Sequence, residues 1–217
     1  MKTKALIINH NRLALLKNAA DWCFNHGLEP IIIDNCSDYL PLLEYYKTCP
    51  YQVLKLNRNY GSHAIWDANI INKLEIKDDF IITDPDLDLT GIPDDFLSVL
   101  KEGLMRYPVV KCGFSLSLNN LPEGKTKEWE RSLWSRPLDD QYFRAPIATT
   151  FALYRKDIRK WVLSPSVRTN SPYTAIHIPW GYESMNFKDL PEDEQYYFKT
   201  ANETSTGKER VMCGKYN

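Results

Sequence analysis

The chain predicts an α/β fold, a mainly parallel sheet with helices on both faces and a smaller region after it. Three observations carry this expectation. Short apolar runs of strand length recur through the first half, and segments of helical period lie between them. With 217 residues and 43% apolar content, the chain is long enough to bury a full core as one domain.

Ala5-Leu6-Ile7-Ile8 is the first strand, and the polar turn Asn9-His10-Asn11-Arg12 leads from it into a helix. In that helix Leu13, Leu16, Ala20, Cys23 and Phe24 recur at helical spacing up to Gly27. Ile31-Ile32-Ile33 is a second buried strand, ending in Asp34-Asn35-Cys36-Ser37, and residues 41–46 form a short helix. Residues 52–56 make a third strand, followed by Asn57-Arg58-Asn59-Tyr60-Gly61. A helix then starts with Ser62 as N-cap and turns Ile65, Trp66, Ile70 and Leu74 inward. Phe80-Ile81-Ile82-Thr83 is the fourth strand, and Pro93-Asp94-Asp95 opens a helix with Phe96, Leu97, Leu100 and Leu104 inward. Strands alternating with helices imply parallel pairing with both faces covered.

Past Met105 the pattern changes. Residues 109–116 and 149–154 are strand-like and flank a polar segment, 121–141, that carries Trp129 and Trp134. The tail after Thr200 is polar and rich in Ser, Thr and Lys, as mobile ends are. The formal charge of −1 and the lack of a basic stripe disfavour nucleic acid as a partner. No apolar run approaches bilayer length, so the expectation is a cytoplasmic protein without a membrane span. Cys23, Cys36, Cys49, Cys112 and Cys213 are odd in number and lack zinc spacing, which fits reduced structural thiols.

The segment with the most chemistry is Thr83-Asp84-Pro85-Asp86-Leu87-Asp88. Acids at the carboxyl end of a buried strand lie where open α/β sheets place their ligands. Pro85 turns the chain out of the strand and lets Asp84 and Asp86 converge instead of facing opposite ways. A divalent ion held there would clamp a diphosphate. Asp88 is equally a turn acid, and Asp94 and Asp95 are best taken as a helix start. His177 on an apolar stretch is as much a core histidine as a ligand, and Asn59 with Gly61 is as much a turn with a left-handed glycine as a binding loop. Trp129, Trp134 and Trp180 suit stacking on sugar or base, although packing is the commoner use of a single tryptophan.

Together these segments resemble a GT-A fold glycosyltransferase of the small family-2-like kind, a Rossmann-like α/β architecture. The similarity rests on Ile7 to Arg12, Ile33 to Ser37, Asn59-Tyr60-Gly61 and the Asp84-Pro85-Asp86 "DXD" motif. Lys111-Cys112-Gly113-Phe114, the stretch from Ala145 to Arg155, and His177-Ile178-Pro179-Trp180 extend it in family order. Within that family it is similar to algal-virus glycosyltransferase domains, which would place it in host cytoplasm. The resemblance implies a single domain with a nucleotide-binding half over about residues 1–105 and an acceptor-binding half over 106–200, ahead of the polar tail, 201–217. It implies that Asp34 accepts a hydrogen bond from the base, that Asn9, His10, Asn11 and Arg12 line base and ribose, and that Asn59 and Gly61 join them. Asp84 would lie by the ribose or metal, Asp86 would ligate Mn²⁺ or Mg²⁺, and His177 would add a metal or diphosphate contact. Trp129, Trp134 and Trp180 would serve the acceptor side. The donor would be a UDP-sugar, such as UDP-rhamnose or UDP-glucose, and the acceptor a saccharide.

One position departs from that pattern. The family places an aspartate, the general base of an inverting transfer, immediately before the 149–154 strand, and Ala148 stands there. Another group, with Asp139 and Asp140 the nearest in sequence, would have to serve, or the site is degenerate or deliberately altered. Two rival functions remain at this level. A haloacid-type phosphatase also places Asp-x-Asp after a strand, though on its first strand and not its fourth, and a non-catalytic nucleotide-sugar or glycan-binding domain would tolerate Ala148.

Overall fold

The structure is a computed structural model that describes residues 2–121 and 123–201. The segment after Ala201, including Cys213 and nearly all of the expected tail, lies outside the described residues. Strands β1 (Lys4–Asn9), β2 (Glu29–Asp34), β3 (Gln52–Lys55) and β4 (Phe80–Thr83) pair in parallel in the order β3-β2-β1-β4.

Beyond β4 the sheet is mixed, with antiparallel pairs added to the parallel ones, which still outnumber them four to three among the described residues of the main sheet. The later strands are β5 (Leu87–Asp88), β6 (Lys111–Gly113), β7 (Ser115–Leu116), β8 (Tyr142–Arg144), β9 (Ala152–Tyr154), β10 (Ser166–Thr169) and β11 (Thr174–His177). Among the described residues the main sheet has eight strands in the order β3-β2-β1-β4-β9-β6-β10-β8. β9 is antiparallel to both β4 and β6, so those two run the same way with β9 inserted between them. Gly113 permits the close fit on the β6 side, because a Cβ there would sit 2.5 Å from the Phe151 carbonyl oxygen and 2.6 Å from Ala152 Cβ.

Both faces of the sheet are covered. On one, Ala5, Ile7, Ile32 and Ile81 pack against α1 (Ala14–Asn25) and α5 (Phe96–Arg106). On the other, Leu6, Ile8, Ile31 and Ile33 pack against α3 (Ala64–Asp67) and α4 (Ile70–Lys73). Alternate residues of each strand thus serve opposite cores, which explains the continuous apolar runs. In α1 the buried residues are Leu16, Ala19, Ala20 and Cys23, while Phe24 is exposed.

Two local departures matter for the site. The single helix expected after Gly61 is divided into a 3₁₀ turn (Gly61–His63), α3 and α4, and the break between α3 and α4 falls where Asn69 takes a left-handed conformation with φ 54°. Ser62 lies inside the 3₁₀ turn, and the N-cap positions fall to Tyr60 and His63 instead. The run 109–116 divides at Phe114 between β6 of the main sheet and β7, which joins β11 and β5 in a small three-stranded sheet. The remaining helices are α2 (Leu40–Tyr45), α6 (Lys125–Leu133), α7 (Pro179–Tyr182) and α8 (Glu192–Thr200). Among the described residues no helix is long and apolar enough to cross a membrane, and the four described cysteines are free.

Candidate functional site

A cavity of about 280 Å³ opens where β1, β2 and β4 end. His10 and Arg12 enter it from the β1–α1 turn, Asn35 from the end of β2, and Asp84, Pro85 and Asp86 from the end of β4. Ala148 and Thr149 form the wall ahead of β9, His177 and Pro179 come from β11 and α7, and Tyr197 from α8. This is the carboxyl edge of the parallel half, where strand ends leave backbone and side chains free to meet a ligand.

Asp84 is tied to the opposite wall. Its amide donates to the Thr149 carbonyl at 3.1 Å, and its Oδ2 accepts the Thr149 hydroxyl at 2.5 Å. Burial, reinforced by the charge of Asp86, pushes its carboxyl up to about 8 against the opposing pull of Thr149 and Arg12. Asp86 behaves oppositely. Burial would raise its pKa, but Arg12 and then His177 outweigh that and hold the carboxyl below its usual range. Arg12 Nη1 donates to Asp86 Oδ2 at 2.5 Å, whereas Asp86 Oδ1 is buried without a partner among the described residues.

Arg12 is itself enclosed. Its Nε lies 2.8 Å from Glu194 Oε1 and its guanidinium lies 3.7 Å over the Tyr197 ring. Burial is the main cause that pushes the Glu194 carboxyl up to about 7. The neighbouring Asp193 accepts the amides of Leu13 and Ala14, both at 2.8 Å, and so caps the start of α1 from α8. His177 Nε2 lies 3.6 Å from Asp86 Oδ2, its ring packs on Trp180 at 4.8 Å, and burial lowers its pKa, leaving the imidazole neutral at neutral pH.

The donor set bears on a divalent ion in two ways. Among the described residues no group of three or more His, Cys, Asp or Glu is arranged to hold a metal, so Asp84, Asp86 and His177 do not form a three-ligand site. The two carboxylates nevertheless suit the sparser arrangement in which Mg²⁺ or Mn²⁺ takes one or two protein carboxylates and completes its shell with water and phosphate oxygens. The unpartnered Asp86 Oδ1 leaves one buried carboxylate oxygen open to a cation.

The other sequence candidates divide clearly. His10, Arg12, Asn59, Gly61, Asp84, Asp86, Ala148 and His177 line the cavity. Asn9 and Asn11 do not. Asn9 donates to the Arg12 carbonyl and the Tyr46 hydroxyl, and Asn11 accepts the amides of Asp38 and Tyr39 while donating to Thr200 Oγ1, so both build the turn. Asp34 accepts the Tyr46 hydroxyl at 3.1 Å and lies outside the lining, where its neighbour Asn35 stands instead. Asn35 holds the 59–61 loop by donating to Asn59 Oδ1 and the Gly61 carbonyl and accepting the Tyr60 amide.

Asp140 is exposed and away from the lining, and Asp139 is engaged by Arg106, Tyr107 and the amides of Gln141 and Tyr142. Trp129 is exposed on α6, Trp134 packs on Phe143 at 5.2 Å and Trp180 is buried, and none of the three lines the cavity. Sequence reasoning missed Ser62, Thr149, Glu194 and Tyr197. Glu194 sits in an acidic helix start whose usual meaning is a solvated first turn, so no local signal distinguished it.

Fold and site therefore define an α/β protein with a mixed eight-stranded sheet and an acid-floored pocket at its carboxyl edge. In comparisons with known proteins, no family model matches the chain and no curated protein matches it.

Proposed function

We propose that this chain is a glycosyltransferase that uses a divalent ion, Mn²⁺ or Mg²⁺, to move a hexose or deoxyhexose from a UDP-sugar to a saccharide hydroxyl. The observation that carries this reading is the charge balance of the pocket. Arg12 is the one Lys or Arg in its described lining, and Asp86 and Glu194 already meet its charge. An entering diphosphate finds no surplus positive charge there, whereas Asp86 offers a carboxylate, and Asp84 a carboxyl whose proton the ion would displace, to a cation that it would share.

When bound, the ion would neutralise charge developing on the leaving diphosphate. Thr149 holds Asp84 against the Ala148 wall, and Arg12 fixes the direction of Asp86. Ala148 faces the cavity where the resemblance puts a general base, and a methyl group takes no proton. The acceptor hydroxyl would therefore attack without a positioned carboxylate, and the transfer, proposed as inverting, would be slow.

The test is calorimetric titration of UDP with Mn²⁺ and with EDTA, beside an assay of UDP release from UDP-sugars. Binding that strengthens with Mn²⁺ is expected. Equal affinity under both conditions would remove the ion from the proposal, and no binding in either would remove the UDP-sugar.

A further inference from the structure

The wall that carries Ala148 is held by a device the pocket chemistry does not use. Ser166 Oγ donates to the Ala145 carbonyl at 2.7 Å, Arg168 Nε to Pro146 at 2.9 Å, Lys111 Nζ to Ile147 at 2.5 Å and the Tyr154 hydroxyl to Ala148 at 3.1 Å. Four consecutive carbonyls, 145–148, are thus each gripped by a different side chain. All four donors are buried, with Lys111 fully so. Lys111 also donates to the Val162 carbonyl and the Tyr154 hydroxyl, which links this wall to the following loop. Glu130 of α6 anchors the bracket by pairing with Arg168 at 2.5 Å.

A loop outside the sheet ladder would leave these carbonyls unsatisfied, so burying four polar side chains, a lysine and an arginine among them, to reach them is a specific arrangement and not general packing. The next residue is Thr149, whose hydroxyl and carbonyl make the two bonds that hold Asp84. We infer that Lys111, Tyr154, Arg168 and Ser166 are positioning residues, which act through the 145–149 wall to fix the Asp84 carboxylate at the pocket. Its consequence for ligand binding rests on the diphosphate-and-ion role proposed above. Lys111 stands in a segment of the apolar run 109–116, where its sequence context shows no partner.

Tyr154→Phe removes the grip on Ala148 and keeps the ring stacked on Phe80. Lys111→Met keeps the apolar stem and removes three hydrogen bonds. Hydrogen exchange should rise about tenfold in both variants at the amides of Ile147 and Asp84, with the β1 and β2 amides unchanged. The Mn²⁺-dependent gain in UDP affinity should fall about tenfold, while affinity for metal-free uridine stays the same. If Lys111→Met does not fold, Tyr154→Phe decides. Unchanged exchange at Asp84, or raised exchange with the Mn²⁺-dependent gain intact, overturns the inference. A wild-type chain that binds no UDP at all would defeat the donor proposal, and the Asp84 amide would still decide whether the bracket holds that residue.

Discussion

Asp86→Asn separates the two roles that converge on this residue. Removing one partner of a buried ion pair costs about 3–5 kcal/mol. Arg12 keeps Glu194 as its second partner, and asparagine keeps an oxygen for Nη1, so the loss should fall near the lower end, about 3 kcal/mol. For a chain of this size that is about 6–12 °C in Tm. The resemblance gave Asp86 the role of a metal ligand alone, and the buried pair with Arg12 adds a part in stability. Burial would raise the Asp86 pKa, but Arg12 and His177 together more than offset it, so the folded carboxyl lies below the unfolded one. Its stabilisation is therefore present above about pH 4 and is lost as pH falls through the lowered value. Denaturant melts of wild type and variant at pH 7 and in acid should show a gap that closes on acidification. Calorimetry should show the Mn²⁺-dependent part of UDP affinity lost in the variant. Equal stability at pH 7 would refute the buried pair, and an unchanged Mn²⁺ response would refute Asp86 as a ligand.

Ala148→Asp should raise sugar transfer by roughly a hundred- to ten-thousand-fold with little change in UDP or metal affinity, read as kcat against Kd. An unchanged rate would place the base elsewhere. Asp34→Ala should leave UDP affinity within about threefold while costing about 1–3 kcal/mol of stability, since its carboxylate holds the Tyr46 hydroxyl rather than lining the cavity. A large affinity loss with stability intact would restore it as a base contact. Gly113→Ala should destabilise by about 1–3 kcal/mol through the close approach to Phe151 and Ala152, measured by thermal melts, and a neutral result would mean that β9 gives way there.

Apart from β3, whose Gln52 and Lys55 are exposed, the first four strands were legible in the sequence because burial on both faces leaves a plain mark, an unbroken apolar run between polar turns. The placement of Asp84 and Asp86 was legible for the same reason, since the end of such a run is the edge of the sheet. Strand direction beyond β4 was not. Residues 149–154 look the same whether they pair parallel or antiparallel, and only docking between β4 and β6 decides it. Nor could local pattern reveal that Arg12 meets Asp86 and Glu194, which lie far along the chain from it and from each other. The role of Lys111 was hidden for the same reason, because two of its partners are the Ile147 and Val162 carbonyls, and a carbonyl carries no signature in the residue that bears it. Hydrophobic periodicity is written in the residues themselves, whereas the pairing of buried polar groups depends on which loops the folded chain brings together, and that only the tertiary structure decided.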